Sequence, residues 1–159
     1  MNTKTRVAKA CVANLVLAAA VVAAHEGEHD PNDLSFQAAT PILDVASVEA
    51  SIDHYTTKLG FTASWDWPEG DDKTFAAVSN GAVTLFLAET EGTIDPTWVF
   101  FDVNSADHVH EAYVEAGATI VEAPNDKPWG SREFLATDPD GNVLRIASPL
   151  PHDDEAEEG

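Results

Sequence analysis

Between residues 40 and 147 the sequence repeats itself at a nearly constant interval, which commits the chain to two copies of one structural unit. Asp44-Val45 returns as Asp102-Val103 and Tyr55 as Tyr113, each 58 residues later. Leu59-Gly60 corresponds to Ala116-Gly117 at 57, and Gly81 and Val83 return as Gly141 and Val143 at 60. Each copy reads as strand, helix and three strands. Thr40 to Val45 has a short β pattern, and Val48, Ile52, Tyr55 and Leu59 then recur every three or four residues, the spacing of one helix face. Gly60 is placed to end that helix. Thr62 to Trp67, Thr74 to Ser79 and Val83 to Ala88 follow as strands, the last two joined by Asn80-Gly81, a strong hairpin signal. In the second copy Trp98 to Val103 is a strand and Ala106 to Ala116 a helix ending at Gly117. Thr119 to Glu122, Arg132 to Thr137 and Val143 to Ala147 complete the set, with Asp140-Gly141 as the second turn. The expected fold is α+β, two tandem βαβββ modules at about 39–92 and 97–149 within a domain of about 34–150.

The flanks read differently. Residues 1–9 carry Lys4, Arg6 and Lys9 and no acid, residues 10–24 are almost wholly apolar, and Val22-Ala23-Ala24 is a small-residue exit. That is the pattern of a secretory leader, cleaved after Ala24. An uncleaved anchor is the alternative, but about fifteen apolar residues fall short of the roughly 20 that span a bilayer. Export to a periplasm or beyond is therefore expected. Residues 25–33 and 151–159 are polar and acidic and read as flexible segments. His25, Glu26, Glu28, His29 and His152 in them either chelate a transition metal or form a solvated acidic surface. The chain has 28 Asp+Glu against 8 Lys+Arg, a formal net charge of -20. Such a charge repels phosphate backbones, and the basic residues beyond the leader are scattered, so nucleic acid is excluded as a partner. One cysteine excludes an intrachain disulfide framework and a cysteine-based metal cluster.

Three features together carry a family resemblance: Tyr55 with Leu59-Gly60-Phe61 closing the first helix, Trp129-Gly130-Ser131-Arg132-Glu133-Phe134, and Asp138-Pro139-Asp140-Gly141-Asn142 before the last strand. With the duplication, they make the chain resemble the vicinal oxygen chelate superfamily, in its bleomycin-resistance and glyoxalase-like branch, over about residues 39–148. The resemblance implies paired βαβββ sheets curled into a cupped half-barrel around a ligand cavity, usually completed by a second copy as a homodimer. In the metal-dependent members four His or Glu ligands point into the cup. The resemblance places those positions here at Thr40, Leu85, Trp98 and Arg145. This set offers no imidazole, carboxylate or thiolate. No metal and no other cofactor is expected, which puts chelation-dependent glyoxalase, dioxygenase and fosfomycin-inactivating chemistry in doubt.

If Thr40 and Trp98 mark cup faces, strand alternation adds Ile42, Asp44, Phe100 and Asp102, and the expected ligand-binding set continues with Leu85, Leu87, Trp129, Arg132 and Arg145. Trp65, Trp67 and Phe75 stand beside Trp129 as mouth residues or as ordinary core. An apolar, aromatic lining with a few polar groups suits a small molecule, aromatic or amphipathic and, given the acidity, open to cations. Arg145 either pairs with Asp44 or Asp102 or meets a ligand anion bidentately. His54, His108 and His110 sit on the helices with no shared face and read as rim residues. Two functions follow from this reading: a non-catalytic small-molecule-binding protein resembling bleomycin-resistance proteins, or a metal-free or atypically metallated lyase or isomerase with relocated catalytic groups.

Overall fold

The computed structural model describes residues 36, 38–70 and 72–150. The expected leader, the acidic segment 25–33 and the acidic segment 151–159 lie outside them. Both modules belong to one compact unit that begins at Ala39. The first module runs β1 (Ile42–Val45), α1 (Val48–Lys58), β2 (Thr62–Trp67), β3 (Phe75–Asn80) and β4 (Val83–Glu89). The second runs β5 (Trp98–Asp102), α2 (Ala106–Glu115), β6 (Thr119–Asp126), β7 (Ser131–Thr137) and β8 (Val143–Pro149). Their sheets have the orders β1-β4-β3-β2 and β5-β8-β7-β6. In each, the first strand lies parallel to the last and the other pairs are antiparallel.

Local chemistry fixes both helices in the same way. The Ser47 and Ser105 side chains accept from the amides of Ala50 and His108 and so cap the two N-termini. At the other ends Gly60 and Gly117 both take φ +72°, a left-handed conformation open to glycine. That turn lets Phe61 N donate to Tyr55 O at 3.0 Å and Ala118 N to Tyr113 O at 2.8 Å. Alternate strand residues then bury against the helices: Leu43, Val45, Val78, Leu85 and Leu87 in the first sheet, Phe134, Ala136, Leu144 and Ile146 in the second. Fully burying a Leu, Ile or Phe side chain contributes about 1.5–3 kcal/mol. The opposite faces stay open, with Ile42 54%, Trp98 61% and Phe100 54% exposed.

The register corrects one expectation. Ile42 pairs with Phe86 and Phe100 with Arg145, so Arg145 corresponds to Phe86 at an interval of 59 residues, not to Leu85 at 60. Strand neighbours share a face and a slip of one residue exchanges the faces. Leu85 and Leu87, expected in the cup, therefore lie wholly buried beneath the helices, Leu87 beside Leu43. The misplacement comes from matching the two glycine turns, which differ in length. Four residues separate the paired Ser79 and Thr84, and five separate the paired Thr137 and Val143.

The longer turn joins the modules. Asn142 Nδ2 donates to Asp44 O at 3.1 Å, Ala46 N to Asp140 Oδ1 at 3.1 Å and Tyr55 Oη to Asp138 Oδ2 at 3.1 Å. Asp138 also accepts from the amides of Asp140 and Asn142, which shape the turn. Beside it, the Phe61 and Phe101 rings meet edge to face at 6.3 Å.

Candidate functional site

On the open face of the second sheet, pairing sets Trp98, Phe100 and Asp102 of β5 beside Val143, Arg145 and Ala147 of β8, with Glu133 and Leu135 of β7 next in line. Arg145 Nε donates to Glu133 Oε2 at 2.7 Å, and its Nη2 pairs with the same oxygen. The other carboxylate oxygen accepts from Trp129 Nε1 at 2.7 Å and from Ser131 Oγ. Glu133 is 2% exposed, so its carboxylate depends on these partners for solvation. Burial alone pushes its pKa up, but the bonds from Ser131, Trp129 and Arg145 outweigh that and hold it below the ordinary carboxylate range.

Held by Glu133, the Arg145 guanidinium lies between two aromatic rings, its carbon 5.9 Å from the Phe100 centroid and 5.5 Å from that of Trp129. Each contact is a cation–π interaction worth about 0.5–1 kcal/mol at an exposed site. Two cavities flank this stack and share Trp129, Glu133 and Arg145. One of about 260 Å³ is bounded by Trp98, Glu122 and Lys127, and one of about 490 Å³ by Phe100, Asp102 and Pro149. The site is thus an aromatic shelf around a charge-neutralised cation. Trp98, Phe100 and Trp129 are each more than half exposed.

The first sheet differs. On its open face the rings of Trp65, Phe75 and Phe86 cluster with centroids 5.3–5.6 Å apart. Trp65 Nε1 is buried there with no hydrogen-bond partner among the described residues. Along the same face, Ser64, Ser79 and Thr84 form a chain of hydroxyls at 2.9 and 3.0 Å.

Against this geometry the expected site residues divide. Ile42, Asp44, Trp98, Phe100, Asp102, Trp129 and Arg145 lie on or beside the open faces, and Thr40 lies two residues before β1. Leu85 and Leu87 lie in the core. Arg132 is also corrected: it faces the helix side, where Nε contacts Asp107 at 2.7 and 2.8 Å and Nη1 contacts Asp126 at 2.7 Å. Arg145 pairs with neither Asp44 nor Asp102, because Glu133 stands beside it across the β7–β8 ladder. Asp44 instead accepts from Thr90 Oγ1 at 2.9 Å. Sequence reading missed Glu133 as a site residue. Alternation from the apolar Phe134 points it at the open face, but it is one acid among 28.

The histidines stay apart. His54 Nε2 is buried without a partner among the described residues, and burial lowers its pKa although Asp138 pulls the other way. His110 packs edge-on against Phe134 at 5.3 Å. With the register corrected, the four positions implied for metal ligands hold Thr40, Phe86, Trp98 and Arg145. One hydroxyl, two aromatic hydrocarbon faces and a paired cation do not fit a divalent ion. Among the described residues no three His, Cys, Asp or Glu side chains converge as a metal site.

A family model for the Glyoxalase/Bleomycin resistance protein/Dioxygenase superfamily matches residues 39–146, and the chain belongs to that superfamily. Comparison with curated proteins gives no match. Among solved structures the chain is similar to TioX from Micromonospora sp. ML1, at 22% identity and TM-score 0.64 over 71% of this chain and all of that one. It is also similar to the bleomycin-binding protein of Streptomyces verticillus complexed with copper(II)-bleomycin, at 26% identity and TM-score 0.60 over 76% of this chain and all of that one. A glyoxalase/bleomycin resistance protein/dioxygenase from Nocardioides has 22% identity and TM-score 0.61 over 93% and 99%.

Proposed function

We propose that the protein is an exported, metal-free binder of a small flat aromatic molecule, held on the open face of the second module. The observation that carries this reading is the shelf of Trp98, Phe100 and Trp129 around an Arg145 whose charge Glu133 already balances. Large aromatic faces left in water, beside cavities with a few fixed polar groups, are what a ligand pocket requires. The bleomycin-binding relative supports a sequestering role, and the leader pattern supports one outside the cytoplasm. The chain's net charge of -20 favours a cationic ligand over an anionic one.

Titrating the protein with acridine orange, a flat cation, and with 8-anilinonaphthalene-1-sulfonate, a flat anion, tests this. Tryptophan fluorescence should be quenched to saturation by the cation at lower concentration than by the anion. Two flat, non-saturating isotherms would sink the reading.

A second copy of the chain completes the pocket in this proposal. Ile42, Trp98, Phe100 and Trp129 are each more than half exposed in the single chain, and two-fold pairing of open faces covers them together. Light scattering should give twice the chain mass at micromolar concentration, and a monomer at every concentration would show that the cup works half-open.

A further inference from the structure

The duplication is broken at the turn between its last two strands, and there it leaves a third cavity. The Asp138–Asn142 turn of the second module fills the groove at the end of β1. Its Asp138 takes the Tyr55 hydroxyl, and its Asp140 takes the Ala46 amide just before the Ser47 cap. The equivalent groove, at the end of β5, faces the shorter hairpin of the first module. There Asn80, 58 residues before Asp138, turns back to its own module and donates to Gly60 O at 3.1 Å. Gly81 and Ala82 supply no side-chain acceptor.

The donors that the turn satisfies in one groove are therefore left open in the other. Tyr113, the counterpart of Tyr55, is 9% exposed and lines the cavity. Its hydroxyl has no partner among the described residues, and neither has the Asn104 amide, the counterpart of Ala46. Burial pushes the Tyr113 pKa up to about 12, so it remains a donor at every physiological pH. The cavity measures about 470 Å³, with Leu59, Phe61, Phe101 and Val109 as an apolar floor and Asn104 and His108 at the rim.

We infer that this cavity is a binding site, separate from the aromatic shelf, for a small carboxylate with an apolar body, whose acid group occupies the place that the Asp138 and Asp140 carboxylates hold in the other module. The acid accepts from Tyr113 Oη and Asn104 N–H, and the body covers Leu59, Phe61 and Phe101. Asp44, the counterpart of Asp102, lends the filled groove only its backbone carbonyl, to which Asn142 Nδ2 donates, and turns its carboxylate to Thr90. The N-terminus of α2, capped at Ser105, adds a favourable partial charge for the anion.

The test follows the amides of the uniformly labelled full chain by NMR as phenylacetate is added, with phenylacetamide as the uncharged control. Phenylacetate should shift Asn104, Ser105 and His108 saturably, and phenylacetamide should bind at least tenfold more weakly, because a neutral carbonyl replaces the charged acceptor and its NH2 group faces donors. Tyr113→Phe should weaken phenylacetate at least tenfold while leaving the urea midpoint unchanged, since its hydroxyl has no protein partner to lose. Tyr55→Phe, which removes one of the hydrogen bonds to the buried Asp138, should lower that midpoint. Saturating acridine orange should not displace phenylacetate, which keeps this result independent of the shelf. The inference is overturned by equal affinity for acid and amide, by affinity unchanged in Tyr113→Phe, or by shifts centred on Trp98 and Arg145. Shifts that track protein concentration instead of phenylacetate identify a second copy as the occupant and overturn it too.

Discussion

Replacing Arg145 with Leu should lower the unfolding free energy at pH 7 by about 3 kcal/mol and flatten the acid side of the stability profile. Removing one member of a buried pair costs about 3–5 kcal/mol. The lower end applies because Arg145 is itself a third exposed and because Trp129 and Ser131 still donate to the stranded Glu133. In the native protein the Glu133 pKa lies below its ordinary value of 4.5. The folded state then favours the carboxylate, so this contribution is present above about pH 4.5 and is lost as pH falls through the folded pKa. Without the guanidinium, two of the causes that hold this pKa down are gone and it should rise, while the Ser131 and Trp129 bonds remain. The variant should then lose less stability than the wild type as pH falls through the acid range. Urea denaturation across pH 3–8 measures both profiles. Replacing Glu133 with Leu as well should recover most of the loss, as apolar exchange of a whole pair often does. Parallel profiles for wild type and Arg145→Leu would mean that Glu133 does not rely on Arg145.

Trp98→Ala should weaken acridine orange binding by tenfold or more with almost no effect on folding. Its side chain is 61% exposed in the chain, and substitutions of exposed residues usually stay within about 0.5 kcal/mol. A ligand seated on the shelf loses both buried area and a stacked contact, the latter worth about 0.5–1.5 kcal/mol, and 1.4 kcal/mol is already tenfold. Calorimetric titration separates the effects that fluorescence alone would mix, because Trp98 is also a reporter. Affinity within twofold of wild type would place the ligand elsewhere.

Both outcomes turn on residues with very different legibility. The sequence by itself determined the duplication, the βαβββ order and the helix ends, because those depend on local chemistry: apolar spacing, Ser47 and Ser105 as caps, Gly60 and Gly117 in left-handed turns. It also placed Trp98, Phe100 and Asp102 on one face, since alternation along a strand needs no partner strand to be read, whereas Arg145 joined them only through the family resemblance. Only the tertiary structure decided which first-module position is the counterpart of Arg145, because a turn one residue longer shifts the repeat from 58 to 59, where matching the glycines gives 60, and so exchanges Leu85 for Phe86. The same holds for ion pairing. Glu133 and Arg145 are twelve residues apart on neighbouring strands, and ladder register selects that acid over Asp44 and Asp102. It holds for Arg132 too, whose place one residue from Glu133 sends it to the opposite face and to Asp107. Strand register and turn length are set by how two segments meet, and that meeting is settled by the buried faces of the whole sheet.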